Sequence, residues 1–227
     1  MSERFDPHAA GEVYRAGVAL EEAAGVVILL HGRGASAREI LSLAGALGGG
    51  LKLAFLAPHA AGSTWYPNSF LAERESNEPW LSSALAKVES VVEMAVVAGI
   101  TRERIVIGGF SQGACLSTEF VATHPARYAG LIAWTGGLVG PLGNDVSHAG
   151  DLAGTPAFQG SGDPDPHVPW SRVEESARVL TAMGARVTTR RYPGKPHSVS
   201  AEEIEFARKL VQSAFGRKTG VPSAQTI

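Results

Sequence analysis

The chemistry of this chain concentrates in the pentapeptide Gly109-Phe-Ser-Gln-Gly113. It follows a short apolar run at 105–107 and opens a helix-like segment, so its serine falls on a sharp strand-to-helix turn. Such a turn is strained and needs glycine where backbone and helix crowd together. It projects the Ser111 hydroxyl out of the sheet, and the helix N-terminus behind it favours developing negative charge. A hydroxyl of this kind requires a base to take its proton and an acid to fix the base's tautomer. Where the serine sits on such an elbow, the order along the chain is serine, acid, histidine. Two later segments provide them: Gly160-Ser-Gly-Asp163-Pro-Asp165-Pro-His-Val-Pro169 and Pro193-Gly-Lys-Pro-His197. Each follows a strand-like run, and ligands of open α/β sheets bind beyond such strand ends. His197 is the expected base, and at this stage Asp163 and Asp165 both qualify as the acid. Acyl transfer further needs donors for an oxyanion. The backbone amide of Gln112, after the nucleophile, is one candidate; that of Arg33, in Leu30-His-Gly-Arg-Gly34, is the other.

The elements that must hold these groups read as alternating strand and helix. Apolar runs at 26–30, 51–56, 105–107, 131–134 and 156–158 are too short for helices and suit buried parallel strands. A more polar run at 186–192 suits a sheet edge, and 12–20 suits an outer strand or hairpin arm. Ser36 and Glu39 form a capping box opening a helix expected to run to Gly48–Gly50. Further helices are expected over 81–98, 111–123, 171–183 and 201–215, the last opened by a Ser200/Glu203 capping box. This alternation implies a mostly parallel sheet with helices on both faces. One domain is expected over 1–216, with a polar, frayed tail over 217–227. Segments 59–80 and 135–154 lack periodicity, and loops this long in a compact domain are usually functional. Trp65, Tyr66, Phe70 and Leu138 within them are the expected substrate-pocket residues.

Other readings compete with these. Gly32-Arg-Gly-Ala-Ser-Ala37 fits a dinucleotide fingerprint, which needs a carboxylate about 20 residues on. The next strand end, Leu56-Ala-Pro-His59, has none. Of the remaining histidines, His8, His124, His148 and His167 are expected to be solvated, and His31 to shape the loop backbone. His59 is a minor rival to His197, and Cys115 reads as a packed core thiol. A formal charge of −2 leaves no electrostatic footprint for nucleic acid. No apolar run approaches the roughly 18 residues of a membrane span. The opening residues lack the basic and apolar regions of a signal peptide, and a lone cysteine makes no intrachain disulfide. A cytoplasmic protein is therefore expected.

Together, Leu30–Gly34, Gly109–Gly113, Gly162–Pro169 and Gly194–His197 resemble the phospholipase/carboxylesterase family of the α/β-hydrolase superfamily. The likeness runs from about residue 24 to 215. It implies an α/β-hydrolase fold without a large cap domain, and it selects Asp165 over Asp163, because the family's acid precedes a segment ending in Val-Pro. The stretches Thr64–Pro67 and Asn77–Trp80 look nearer to bacterial carboxylesterases than to acyl-protein thioesterases. The resemblance implies a serine carboxylesterase acting on small short-to-medium-chain esters, without metal or organic cofactor, and a homodimer. A thioesterase or lysophospholipase on the same residues is the alternative reading; a non-catalytic binding protein on the same scaffold comes last. Gly194-Lys-Pro196 departs from the Gly-Met-Gly that many members carry before the histidine.

Overall fold

The structure is a computed structural model and describes residues 6–216; the tail expected over 217–227 lies outside the described residues. The apolar runs become strands β1 (Val13–Gly17), β2 (Gly25–Leu30), β3 (Leu53–Pro58), β4 (Ile105–Phe110), β5 (Gly130–Trp134), β6 (Pro156–Asp163) and β7 (Arg186–Pro193). They form one sheet in the order β1-β3-β2-β4-β5-β6-β7, in which only β1 runs antiparallel to its neighbour. Every residue of β2, β3 and β5 is buried, as expected of strands covered on both faces, whereas edge strand β7 is largely exposed. Its three exposed arginines put charge along that edge, which disfavours pairing with another sheet.

The helices are α1 (Ala37–Leu41), α2 (Ala44–Gly48), α3 (Trp80–Val97), α4 (Gln112–Thr123), α5 (Trp170–Ala182) and α6 (Ala201–Phe215). Helices α3, α4 and α5 bury apolar stripes against one face of the sheet, around Ile28, Leu30, Ile107 and Leu131. Helices α1, α2 and α6 cover the other, around Val27, Leu29, Phe55 and Trp134. This is the α/β-hydrolase layering expected, with no large cap over the strand ends among the described residues. Among the described residues no helix is long and apolar enough to cross a membrane.

Two local expectations need correction. The helix opened by Ser36 is two helices, because Ser42 breaks it. Its hydroxyl bonds the Glu39 carbonyl at 2.7 Å, and the Ser42 and Leu43 amides turn to carbonyls three residues back. That is a tightened last turn, after which the chain restarts at Ala44. Strand β3 begins two residues later than its apolar run, since the Leu51 amide is spent closing the turn after Gly48.

The central strands carry the packing energy. Ile28 is fully buried and lies between Leu56 and Ile107 on the neighbouring strands. Truncation there leaves a cavity that close-packed neighbours cannot fill. Ile28→Ala is expected to lower unfolding free energy by about 2–5 kcal/mol in urea titrations. Thr188→Ala on exposed β7 should stay within about 0.5 kcal/mol. Equal losses at the two positions would contradict this account of the core.

Candidate active site

Strand order decides what can meet Ser111. Strand β4 delivers it, with the loops after β2 and β3 on one side and those after β6 and β7 on the other. Ser111 holds φ 55° and ψ −119°, a left-handed conformation that a non-glycine residue adopts only under strain. The flanking glycines explain how the turn closes. A Cβ at Gly109 would lie 2.6 Å from the Gly113 and Leu30 carbonyl oxygens. A Cβ at Gly113 would collide with the Leu30 oxygen and lie 2.6 Å from that of His31. Only bare backbone fits between the start of α4 and the end of β2.

The Ser111 hydroxyl lies 2.8 Å from His197 Nε2, and His197 Nδ1 lies 2.8 Å from Asp165 Oδ2. A carboxylate can only accept, so Nδ1 carries the proton and Nε2 is left free to accept from the serine. The Asp165 side chain is fully buried while that of His197 is one-fifth exposed. Burial alone would raise the Asp165 pKa. The His167 amide, the His197 ring and the Val168 amide outweigh it and hold the carboxyl below its ordinary value. Both amides donate to Oδ1 at 2.9 Å, an Asx-type turn made by the local Asp-Pro-His-Val sequence. Asp163 instead ends β6 and pairs with Arg191 of β7. The geometry thus brings Asp165, not Asp163, to the imidazole. Phe110 and exposed His167 pack on the His197 ring with centroids 5.0 and 4.9 Å away.

On the other side, His31 shapes the loop as expected. It is 1% exposed; its Nε2 accepts from the Ala60 amide at 3.1 Å, so Nδ1 carries the hydrogen and donates to the Gly32 oxygen at 2.8 Å. In a trans peptide C=O and N–H point in opposite directions. Gripping the Gly32 oxygen therefore aims the Arg33 amide away from His31. The Gln112 amide lies in the first turn of α4, where no carbonyl of the helix itself can take it. Its side chain is pinned as well: Oε1 accepts from the Trp65 amide at 2.9 Å and Nε2 donates to the Tyr66 carbonyl at 2.8 Å.

A cleft of about 650 Å³ opens over Ser111, lined among others by Arg33, Tyr66, Phe70, Cys115, Val168 and His197. Of the four residues expected at a pocket, Tyr66 and Phe70 line this cleft, and Trp65 and Leu138 do not. Trp65 is fully buried behind the cleft wall, its Nε1 donating to the His31 carbonyl at 2.9 Å. Leu138 is fully buried, with its carbonyl held by the buried Arg172 at 2.8 Å. Cys115 is a buried thiol as expected, its pKa pushed up to about 12 chiefly by burial, yet it also lines the cleft. His59 is no rival base: its Nδ1 accepts from the Ala37 amide at 3.4 Å.

Two buried residues that the sequence reading missed hold the walls. His8, expected to be solvated, is fully buried between Trp65 and Trp80. Its Nε2 donates to the Trp65 carbonyl at 2.9 Å and its Nδ1 accepts from the Ala61 amide at 3.1 Å. Glu119, two turns beyond Ser111 on α4, is also fully buried. One oxygen meets Arg74 at 2.5 Å and His148 at 3.6 Å, and the other accepts from the Val139 amide at 3.0 Å. Burial pushes its pKa up, but His148, Arg74 and that amide prevail and lower it. His148 and His124 are accordingly half-buried rather than solvated, His124 stacking on Phe120 at 4.4 Å. The only sequence signal for Glu119 is a charge on the apolar face shared by Ser111 and Cys115.

Known proteins share this chain's sequence pattern and fold. The model of the phospholipase/carboxylesterase family matches residues 18–214. The crystal structure of a phospholipase/carboxylesterase from Dyadobacter fermentans is 42% identical, with a TM-score of 0.84 over 89% of this chain and 96% of that one. Acyl-protein thioesterase 1 of Cryptococcus neoformans is 27% identical over 83% of this chain and 92% of its own length. The Bacillus cereus carboxylesterase, 22% identical, shares the fold with a TM-score of 0.72 over 91% of this chain and 96% of that one.

The site carries a proton-linked prediction. Burial lowers the pKa of His8 and of His31 below the ordinary histidine value of about 6.5, outweighing the carbonyls of Trp65 and Gly32. Below that value the unfolded chain binds protons that the folded chain refuses, so stability falls as pH falls. The contribution is whole above the unfolded pKa and erodes beneath it. Asp165 and Glu119 shift downward, so their losses come only at more acid pH. The urea midpoint should be level from pH 8 to 7 and drop between about 6.5 and 5, less steeply in His8→Gln. A midpoint unchanged across that window would contradict two neutral buried imidazoles.

Proposed function

The chain belongs to the phospholipase/carboxylesterase family of α/β hydrolases, and from that premise we propose that it is a serine carboxylesterase working through Ser111, His197 and Asp165. It is a hydrolase of the serine type by family. The observation that most supports the specific assignment is the unbroken relay of two 2.8 Å hydrogen bonds from the Ser111 hydroxyl to the Asp165 carboxylate.

In this reading His197 Nε2 takes the Ser111 proton as Oγ attacks the ester carbonyl. Asp165 keeps the imidazole in the right tautomer and stabilises the cation that forms. The tetrahedral oxyanion is received by the Arg33 and Gln112 amides, each donor being worth about 3 kcal/mol of barrier. The same histidine gives its proton to the leaving alcohol, then activates the water that frees Ser111. A substrate of short-to-medium chain suits a cleft of about 650 Å³ lined by Tyr66, Phe70 and Cys115. An acyl thioesterase on the same residues is the second reading, favoured by the relatives named acyl-protein thioesterase. A thioester would use the same attack and the same oxyanion donors.

A fluorophosphonate probe should label Ser111 in folded protein, and absence of the adduct would remove the serine mechanism. Asp165→Asn is expected to lower kcat by about 10³–10⁴-fold, and Asp163→Asn by no more than a few-fold. The reverse order would show the acid to be misassigned. With nitrophenyl esters from acetate to palmitate, kcat/KM should peak at short-to-medium chains. A peak at palmitate would favour a long-acyl thioesterase or lysophospholipase.

A further inference from the structure

The cleft over Ser111 is one-sided in its polar groups. No Asp or Glu lines it, and Asp165 is buried behind His197. Arg33 lines it with a guanidinium fixed by two neutral acceptors, the carbonyls of Pro67 and Asn68, each at 2.7 Å. Among the described residues Arg33 makes no ion pair, although the chain as a whole is slightly acidic. Tyr66 also lines the cleft and is 1% exposed, and its hydroxyl meets no oxygen or nitrogen acceptor among the described residues. Its hydrogen bond goes to the Cys115 thiol, a weak acceptor, and the Arg33 charge acts on the phenol as well. Burial keeps the phenol protonated, well above its ordinary pKa, so it stays a donor. A held cation without a counter-charge and a donor spent only on a thiol thus share one end of the cleft. A ligand oxygen is a better acceptor than a thiol, so exchanging one for the other favours binding.

Topology says which part of a substrate reaches that end. The carbon of the tetrahedral intermediate bears Ser111 Oγ, the oxyanion, the leaving oxygen and the acyl chain. The leaving oxygen must face His197 to be protonated, on the β6–β7 side. The oxyanion is taken by the backbone amides. The acyl chain is left with the opposite side, where the loops after β2 and β3 bring the Arg33 side chain, Tyr66 and Phe70.

We propose that the preferred substrates are esters whose acyl arm carries a carboxylate, received by the Arg33 guanidinium with the Tyr66 hydroxyl as a second donor. The inference rests on the esterase reading of the site and narrows it to half-esters of dicarboxylic acids. An exposed cation beside the nucleophile also raises the encounter rate of anionic substrates, an effect that salt screens.

The test compares mono(4-nitrophenyl) adipate with 4-nitrophenyl hexanoate, which matches it in length without the charge. In wild-type protein at low ionic strength, kcat/KM should favour the adipate about tenfold, and the preference should shrink towards parity near 1 M salt. Arg33→Gln should abolish the preference and Arg33→Lys keep part of it; Tyr66→Phe should reduce it by a smaller factor. A wild-type preference for hexanoate, or one indifferent to salt, overturns the proposal whether or not any variant folds. A preference unchanged in Arg33→Gln overturns the role of Arg33, and one unchanged in Tyr66→Phe overturns that of the phenol. If neither ester is turned over and the phosphonate leaves Ser111 unlabelled, the esterase reading falls and this inference with it.

Discussion

No side chain fits between the first turn of α4 and the end of β2, and the rest of the site is arranged around that close approach. Because Gly109 and Gly113 let backbone meet backbone, the chain turns sharply enough to hold Ser111 in a left-handed conformation. The same packing puts the first-turn amides of α4 beside the loop that carries Arg33. Strain at Ser111, the direction of its hydroxyl and the clustering of donors are three consequences of one contact. The opposite half depends on it only through distance: β6 and β7 end where Asp165 and His197 can reach the projecting oxygen.

Around that contact the walls are held by buried polar side chains rather than by packing alone. Gln112 ties segment 64–66 to the nucleophile's helix, and Glu119 ties Arg74 and Val139, one from each long loop, to the same helix. His8 and His31 accept from the adjacent amides of Ala61 and Ala60, and both rings pack against Trp65. Each group is satisfied in a single arrangement. A low-dielectric interior makes any departure from it expensive, so the cleft can be shaped before substrate arrives.

The chemistry was largely legible in the amino-acid sequence because it is written locally. The elbow needs glycines two residues either side of Ser111, and the acid makes its own turn within Asp165–Val168. The central strands were legible as short apolar runs for the same reason. What escaped depends on contacts distant in sequence. His8 has no pattern around it, and its burial follows from Trp65 and Trp80, more than fifty residues away. Trp65 and Leu138 sit in the right loops, but neither sequence pattern nor hydropathy says which of two neighbouring apolar residues faces the cleft and which the core. The break at Ser42 turns on one hydroxyl choosing a carbonyl.

The central claim is that Ser111, relayed through His197 to Asp165, becomes covalently acylated during turnover. Rapid acid quench of the protein mixed with a nitrophenyl ester, followed by peptide mass mapping, observes that species directly. The account predicts the acyl mass on the peptide containing Ser111 and no turnover in Ser111→Ala. An acyl group mapped to another residue, or Ser111→Ala hydrolysing the ester at the wild-type rate, would contradict it.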